Sequence, residues 1–395
     1  MWRVFLAAAV SLWLIALPAL AQDEVTGTVK EERLKEPDAP NRAGLEMVKR
    51  SLLLGNMTVR YQQVVDPRQG NKPVVQQYGD YILGCEFPRY TWNWDLEYFI
   101  EVTVSRPGAE PFAANRVSLQ KGLYLLQQGQ RGVADMVWDL PPLPGQAAGK
   151  SGEMVIRLVK TAADPQWLSV RVTVEGDPTA RITRVRLESY PTTTTGPPER
   201  QRWVMGLARG LQMGNAPQAL NPAEDWALAL HNRFAQEEGG ALIVADPAEI
   251  TAMSASGTYA VAVVYDTVPS AAVHLALGYF WDTPWEKAVD SFRQEAPERL
   301  KALQAADWSV PLDVASWERE QADVEELLAL DAKSRADFGA QWLGVSTQAE
   351  TALKQAGEGD PGAARRFALL IRQARALKAE LYEPALKGLI EQATQ

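Results

Sequence analysis

Alternation of apolar and polar residues over residues 92–105 constrains the fold more than any other feature of the sequence. The apolar positions of this run, every second residue, are Trp92, Trp94, Leu96, Tyr98, Ile100, Val102 and Val104. Phe99 is the one apolar residue among the intervening positions. Because successive side chains of a strand point to opposite faces, the run predicts a strand with one face on a core and the other toward solvent. Strands of this kind are typical of antiparallel sheets.

Shorter runs with the same period of two follow one another from about residue 52 to residue 281, separated by proline and glycine. In the clearest of them Leu168 and Val170 alternate with Ser169 and Arg171. About a dozen such strands without an intervening helix predict two large facing sheets. The sequence therefore predicts a mainly β protein with a large antiparallel β-sandwich, resembling a supersandwich, over residues 51–310.

Helical patterns begin after Trp281. Thr283, Pro284 and Glu286 are residue types expected at the N-cap, the first and the third position of a helix, so a helix is predicted to start there. Pro297 is expected to divide this helix, because proline removes a backbone hydrogen bond.

The C-terminal region, residues 311–395, carries apolar residues at helical spacing. A long helix is predicted over residues 314–343, and a final helix is predicted around Phe367, Leu370, Ile371, Ala374, Leu377 and Leu381. Packed against each other, the two form a C-terminal α-helical hairpin.

The first 21 residues have the pattern of a cleavable secretory signal peptide. Arg3 precedes an apolar stretch over residues 4–17, and the small residues Ala19 and Ala21 end it. An uncleaved membrane anchor is the alternative, since the stretch approaches the length that spans a bilayer. Residues 22–50 are charged and are predicted to be a solvated linker. The chain is therefore expected to be exported, to the periplasm or the cell exterior, and to meet a membrane only transiently through its signal peptide.

Charge and cysteine content exclude several partners. The formal net charge is −9, and loss of Arg3 with the signal peptide makes it −10. An acidic surface argues against nucleic acid or an anionic membrane as the main partner, because both favour clustered Lys and Arg. Cys85 is the only cysteine, so the chain has no internal disulfide and no cysteine-based metal cluster.

Three near matches to catalytic motifs fail on context. The loop 145–151 has three residues between its glycines where a phosphate loop needs four, and the loop 357–362 joins two helices instead of following a strand. Ser118 and Lys121 lack the companion motifs of penicillin-recognising enzymes. No cofactor or metal is predicted, the catalytic residues are unknown, and the sequence favours a protein that is not an enzyme.

The candidate ligand-binding residues fall into three groups. His274 lies on the face of its strand opposite Val273 and Leu275, next to small residues that could leave a groove. Asp95 and Glu97 share one strand face at a spacing used by paired acids in glycoside hydrolysis. At the junction between the last strand and the first helix, aromatic rings and acids suited to sugar binding are Tyr279, Trp281, Asp282, Trp285 and Glu286. Core packing and solvated charges are the alternative explanation for each group.

The succession of strands, one histidine on a late strand and a helix after Trp281 resembles galactose-mutarotase-like proteins over about residues 52–310. This resemblance implies a β-supersandwich fold and carbohydrate binding. Some members of that group are epimerases, lyases or parts of glycosidases, and their catalytic sites pair a histidine with an acid. No diagnostic motif is present, so no catalytic residue is carried over.

Three functions are compatible with these features. The first is an exported, non-catalytic protein whose sandwich binds carbohydrate or another cell-envelope polymer. The second is a carbohydrate-active enzyme that uses His274 with one of the acids Asp95, Glu97, Asp282 or Glu286. The third is a structural or assembly protein that self-associates through its helical tail.

Cleavage of the signal peptide is directly testable. When the full chain is expressed in a bacterium with an export pathway, we expect the mature protein to begin at Gln22, because the small residues Ala19 and Ala21 fit signal peptidase. Intact-mass measurement of the exported protein checks this. Retention of residues 1–21 in a membrane fraction would instead identify an anchor.

Overall fold

The computed structural model describes residues 24–35, 42–76, 79–87, 93–94, 99–115, 117–143, 145, 152–190, 203–206, 210–212, 217–232, 239–257, 261–360 and 362–393. Its first strands are β1 (Gly27–Lys35), β2 (Glu46–Leu54), β3 (Met57–Asp66), β4 (Lys72–Pro73), β5 (Tyr81–Glu86), β6 (Asn93–Trp94), β7 (Ile100–Ser105), β8 (Phe112–Ala114), β9 (Gly122–Gln127), β10 (Arg131–Asp139) and β11 (Glu153–Thr161).

The remaining strands are β12 (Trp167–Glu175), β13 (Arg181–Tyr190), β14 (Trp203–Gly206), β15 (Gly210–Gln212), β16 (Gln218–Leu220), β17 (Ala227–Asn232), β18 (Gly239–Ala245), β19 (Ile250–Gly257), β20 (Val261–Ser270) and β21 (Ala272–Trp281). The helices that follow are α1 (Trp285–Gln304), α2 (Val314–Leu330), α3 (Ala332–Gly357) and α4 (Ala363–Ala393).

The strands form two antiparallel sheets that face each other. The first sheet has the order β1-β2-β3-β5-β6-β13-β20-β19-β16, with β4 beside β3 and with β7 pairing both β13 and β8. The second sheet has the order β15-β14-β17-β18-β21-β12-β11-β10-β9. The predicted fold class, a mainly β sandwich followed by C-terminal helices, is confirmed.

One apolar core fills the space between the sheets, and alternation along each strand decides which residues enter it. On β12, Leu168, Val170 and Val172 are buried in this core, as the alternation predicted. Val273, Leu275 and Leu277 of β21 enter the same core. The intervening residues of both strands therefore lie on the outer face of the second sheet.

The run that predicted one long strand is divided into β6 and β7. Both pair with β13, and the partner moves only from Ser189, opposite Trp94, to Leu187, opposite Ile100. The chain advances by six residues while its partner advances by two, so β6 and β7 are not one strand in a single register with β13. Phe99, predicted on the polar face, is fully buried in the core because the register changes before it.

Part of the predicted linker also differs from expectation, because β1 and most of β2 lie within residues 22–50. β1 pairs with β2 along its whole length, and Val25 just before it is buried and exchanges backbone hydrogen bonds with Gly129. β1 is an edge strand with mostly exposed side chains, so it carries no hydrophobic alternation from which a strand could be predicted.

The helix α1 packs on the outer face of the second sheet through Val289, Phe292 and Ala296. This packing holds the helix continuous through Pro297, where a break was predicted. The helix also starts later than predicted. Thr283 does not cap it, since its hydroxyl donates to the carbonyl of Trp281 at 3.1 Å.

The C-terminal region is a bundle of three helices, α2, α3 and α4, where two were predicted. Asp331 ends the predicted helix 314–343 because it is extended, and its carboxylate accepts hydrogen bonds from the backbone amides of Lys333 and Ser334 at 3.3 and 2.7 Å. At the far end of α4, Tyr382, Leu386, Leu389 and Ile390 are exposed. Self-association of the tail stays a prediction.

Lys160 is fully buried on the inner face of β11, where its ammonium donates a hydrogen bond of 2.6 Å to the carbonyl of Pro165. Burial in the core lowers the pKa of Lys160 to about 8. Since a lysine in the unfolded chain has a pKa of about 10.4, the unfolded state binds more protons than the folded state between these values. This titration therefore makes the protein more stable as pH rises from 8.

Replacing Lys160 by methionine should remove this pH dependence. Between pH 7 and 9.5 we expect the free energy of unfolding of the natural chain to rise by roughly 2 kcal/mol relative to Lys160→Met. Urea unfolding of both proteins across this range measures the difference. Parallel curves would mean that Lys160 stays charged in the folded protein.

Candidate functional site

A row of polar side chains crosses the outer face of the second sheet. Asp135 on β10 lies opposite Arg157 on β11, which lies opposite Arg171 on β12, which lies opposite His274 on β21. Directly paired residues of adjacent strands place their side chains within about 5.5 Å at Cβ, so each member is within reach of the next. We call these four residues the polar row.

One end of the polar row is closed by ion pairs. The carboxylate of Asp135 is fully buried and accepts two hydrogen bonds of 2.8 Å from the guanidinium of Arg157. Arg365, in the first turn of α4, donates to the same carboxylate at 3.1 Å and also contacts Glu153 and Glu175. Burial raises the pKa of Glu175 above its usual value, against the attraction of Arg365.

The other end of the polar row is a histidine–acid pair. Glu249 ends a 3-10 helix (Pro247–Glu249), and its carboxylate accepts hydrogen bonds of 2.7 Å from both the backbone amide and the ring Nδ1 of His274. A carboxylate is an acceptor, so Nδ1 carries the proton and Nε2 of a neutral ring is an acceptor. No residue that the structure describes forms a hydrogen bond with Nε2. The pair keeps partial contact with solvent, with 23% of the His274 side chain exposed.

Arg171 lies between these two ends and has no hydrogen bond to any described residue. Its Nε is buried without a partner. Burial, helped by repulsion from Arg157, lowers the pKa of its guanidinium, while the carboxylates of Glu175, Asp135 and Glu249 oppose this shift. The polar row thus holds a half-buried cation that is attracted by nearby carboxylates without forming a hydrogen bond with them.

A segment that follows α1 runs over the polar row and carries Trp308. Two arginines of the sheet hold its backbone: Arg131 donates to the carbonyls of Asp307 and Ser309 at 2.6 and 2.7 Å, and Arg157 donates to that of Trp308 at 2.7 Å. The half-buried Trp308 ring lies beside His274, with 5.4 Å between ring centroids.

A cavity of about 270 Å³ lies next to the polar row on the same face. Ser169 and Ala276, which are two residues along their strands from Arg171 and His274, form its floor, and their small size leaves the space. Trp167 lines one wall with Arg299 stacked over its ring at 4.9 Å. Asp307 lines the rim, so the cavity and the Trp308 segment adjoin.

The structure does not bring the predicted junction residues into one site. Tyr279 and Trp281 stack on each other at 4.5 Å and pack on the core between the sheets, and Tyr279 accepts a hydrogen bond from Asn56. Trp285 packs on the opposite face of the sheet, against Phe280 under α1.

Two of the predicted acids, Asp282 and Glu286, are also separate from His274, because they are exposed near the start of α1. Asp95 and Glu97 lie outside the described residues. Of the candidates that the structure describes, only His274 belongs to the polar row, and its acid is Glu249, which was not predicted.

Sequence reasoning missed Glu249, Arg157, Arg171 and Trp308 as members of a site. The one sequence feature that pointed to any of them is the position of Arg171 on the polar face of an alternating strand. The partnership of His274 and Glu249 spans 25 residues and two strands, and no fixed spacing announces it.

Neither a metal centre nor a membrane span is found in the described part of the chain. No group of three or more His, Cys, Asp or Glu side chains there is placed to hold a metal ion. No helix there is long and apolar enough to cross a membrane.

No protein-family model and no curated protein matches the chain. Similar solved structures include a candidate aldose 1-epimerase from Klebsiella pneumoniae, with 6% identity and a TM-score of 0.33 over 70% of this chain and 88% of that one. A galactose mutarotase-like protein from Clostridium acetobutylicum also has 6% identity and a TM-score of 0.33, over 65% of this chain and 99% of that one. Both are described as aldose-epimerase or mutarotase-like proteins, the group that the strand pattern resembled.

The hydrogen bond between His274 and Glu249 predicts one tautomer of the histidine. In neutral His274 we expect the proton on Nδ1, because a carboxylate can only accept. Long-range proton–nitrogen NMR measures the tautomer, and the chain has only one other histidine, so His231→Gln assigns the signals. In Glu249→Ala the preference should be lost. A proton held mainly on Nε2 in the natural protein would contradict the pair.

Proposed function

We propose that this chain is an exported protein that binds carbohydrate on the outer face of its second sheet, at the cavity that adjoins the polar row and the Trp308 segment. The observation that carries the proposal is the half-buried indole of Trp308 beside an imidazole with an uncommitted Nε2, next to a cavity floored by Ser169 and Ala276. Flat rings that pack on a sugar face, together with a few polar groups that orient its hydroxyls, are typical of ligand sites.

The cavity's size and lining support a sugar as ligand. At about 270 Å³ it lies just below the range of about 300–1,000 Å³ for small-molecule sites, which suits a single sugar unit better than a large cofactor. Its lining combines apolar surface from Trp167 and Leu303 with the charged side chains of Arg131 and Arg299. The exposed residues Ala302 and Asp307 at its rim would let a polymer continue beyond it.

Export is part of the proposal and rests on the signal-peptide pattern of residues 1–21. In the periplasm or outside the cell, glycans and cell-envelope polymers are abundant neutral or acidic ligands. The acidic net charge argues against a nucleic-acid backbone as the ligand.

A carbohydrate-active enzyme of epimerase, lyase or glycosidase type is the second candidate, and the His274–Glu249 pair favours it. An imidazole whose Nδ1 is held by a carboxylate presents Nε2 as a proton acceptor, which is the arrangement of a general base. If His274 were such a base, His274→Gln would abolish turnover of a bound sugar while leaving its affinity within a few-fold. If the chain only binds carbohydrate, a bound polymer should be recovered unchanged. Chromatography of the recovered sugar checks this.

The binding site can be tested by removing one indole at a time. In affinity electrophoresis against gels that contain cell-envelope and plant polysaccharides, we expect retardation by at least one polymer. Trp308→Ala should weaken its binding by about 10-fold or more, because a central aromatic contact is typically worth over 1 kcal/mol. Trp308→Phe should bind at an intermediate strength.

Trp285→Ala is the matched control, since Trp285 is also half-buried against the second sheet but lies at the other end of α1. It should bind as the natural protein does. Loss of binding in Trp285→Ala or Trp281→Ala with full binding in Trp308→Ala would move the ligand to the strand–helix junction and contradict this site. Circular dichroism of each variant separates loss of binding from loss of fold.

A further inference from the structure

The position of Arg171 in the sheet costs its guanidinium part of its hydration. A guanidinium that is half withdrawn from water, with its Nε buried and no hydrogen bond to a described residue, is compensated only by the longer-range attraction of nearby carboxylates. Proteins place charged groups in such positions mostly with a partner, and a cation kept without one beside a cavity is a candidate for ligand recognition.

The acids around Arg171 are already committed to other donors. Both oxygens of Asp135 bind Arg157, and one of them also binds Arg365. Both oxygens of Glu249 bind His274. Glu175 is bound by Arg365. None of these acids forms a hydrogen bond with Arg171, so the guanidinium remains available to a ligand.

The charges of the neighbourhood restrict the ligand to a single negative charge. The three arginines Arg157, Arg171 and Arg365 face four acids, so the neighbourhood has no excess of positive charge; the acids are Asp135, Glu153, Glu175 and Glu249. One carboxylate can pair with Arg171 through the two parallel hydrogen bonds that a guanidinium favours. A dianionic phosphate would be repelled by the nearby acids.

The neighbouring histidine adds a second requirement. His274 lies directly across from Arg171 in the sheet, and its Nε2 is an acceptor when Nδ1 is bound to Glu249. A hydroxyl group is the complementary donor. The site therefore matches a ligand that carries a carboxylate and a hydroxyl a few ångströms apart.

We propose that Arg171 binds the carboxylate of an acidic sugar and that His274 accepts a hydrogen bond from a hydroxyl of the same sugar unit, so that the carbohydrate is a uronate polymer. This deepens the proposed function and rests on it. Arg171 is then the residue that separates uronates from neutral sugars.

A first test needs no ligand. If Arg171 serves a ligand, then Arg171→Met removes an uncompensated half-buried charge, and the unfolding temperature should stay the same or rise. Differential scanning calorimetry measures it. A fall of more than about 5 °C would show that Arg171 stabilises the fold, and would overturn its role as a ligand residue.

A second test compares matched ligands. Alginate, polygalacturonate and hyaluronate are the uronate probes, and the same polymers with methyl-esterified carboxylates are their neutral counterparts. Isothermal titration calorimetry should show at least one uronate polymer bound 10-fold or more tightly than its ester. Arg171→Met should lose this preference, and Arg171→Lys should retain part of it, since a lysine keeps the charge without the two-pronged geometry.

Arg184→Met is the control, because Arg184 is an exposed arginine on the first sheet paired with Asp266 at 2.7 Å. It should keep the preference for the acid. If dextran, galactan or the esters bind the natural protein as tightly as the uronates do, and Arg171→Met binds like the natural protein, this inference is overturned while carbohydrate binding stands. If no polymer of either class binds, the proposed function itself fails.

Discussion

The buried carboxylate of Asp135 is the interaction on which the arrangement of sheet, helices and site depends. It is fully withdrawn from solvent in the middle of β10 and is stable there only because Arg157 and Arg365 donate to both of its oxygens. Arg365 belongs to α4, so this carboxylate ties the helical bundle to the second sheet. Arg157 uses its remaining nitrogen to hold the backbone of Trp308, so the same carboxylate also fixes the segment above the polar row.

As a consequence, the residues of the polar row differ in how many hydrogen-bond partners they have. Asp135 and Arg157 each take part in three hydrogen bonds and His274 has Glu249, whereas Arg171 has no hydrogen bond within the described chain. A sheet selected only for stability would gain from an apolar residue at this position, because a half-buried cation costs more than it returns. The unpaired guanidinium is therefore the feature on which the proposed ligand rests, because the fold itself gives it no hydrogen bond within the described residues.

The candidate site was only partly accessible to sequence reasoning. His274 could be singled out because it alternates with core residues and because histidines are rare in this chain. Glu249 and Trp308 could not, since one comes from a 3-10 helix and the other from a connecting segment, and neither has a periodicity that fixes where it points. The aromatic residues around Trp281 are close in the sequence and were predicted to form one site. Consecutive residues of a strand point to opposite faces, so the sheet separates Trp281 from Phe280 and Trp285.

The sequence by itself determined the fold class, because the period of two along each strand specifies which face is buried before any partner strand is known. It also determined the change to helices after Trp281. Tertiary structure alone decided the strand order, the change of register before Phe99, and the pairing of the edge strand β1. All three depend on backbone pairing between distant residues. For the same reason only the sheet register could place Arg171 between Arg157 and His274, where the neighbouring acids already have partners and its guanidinium does not.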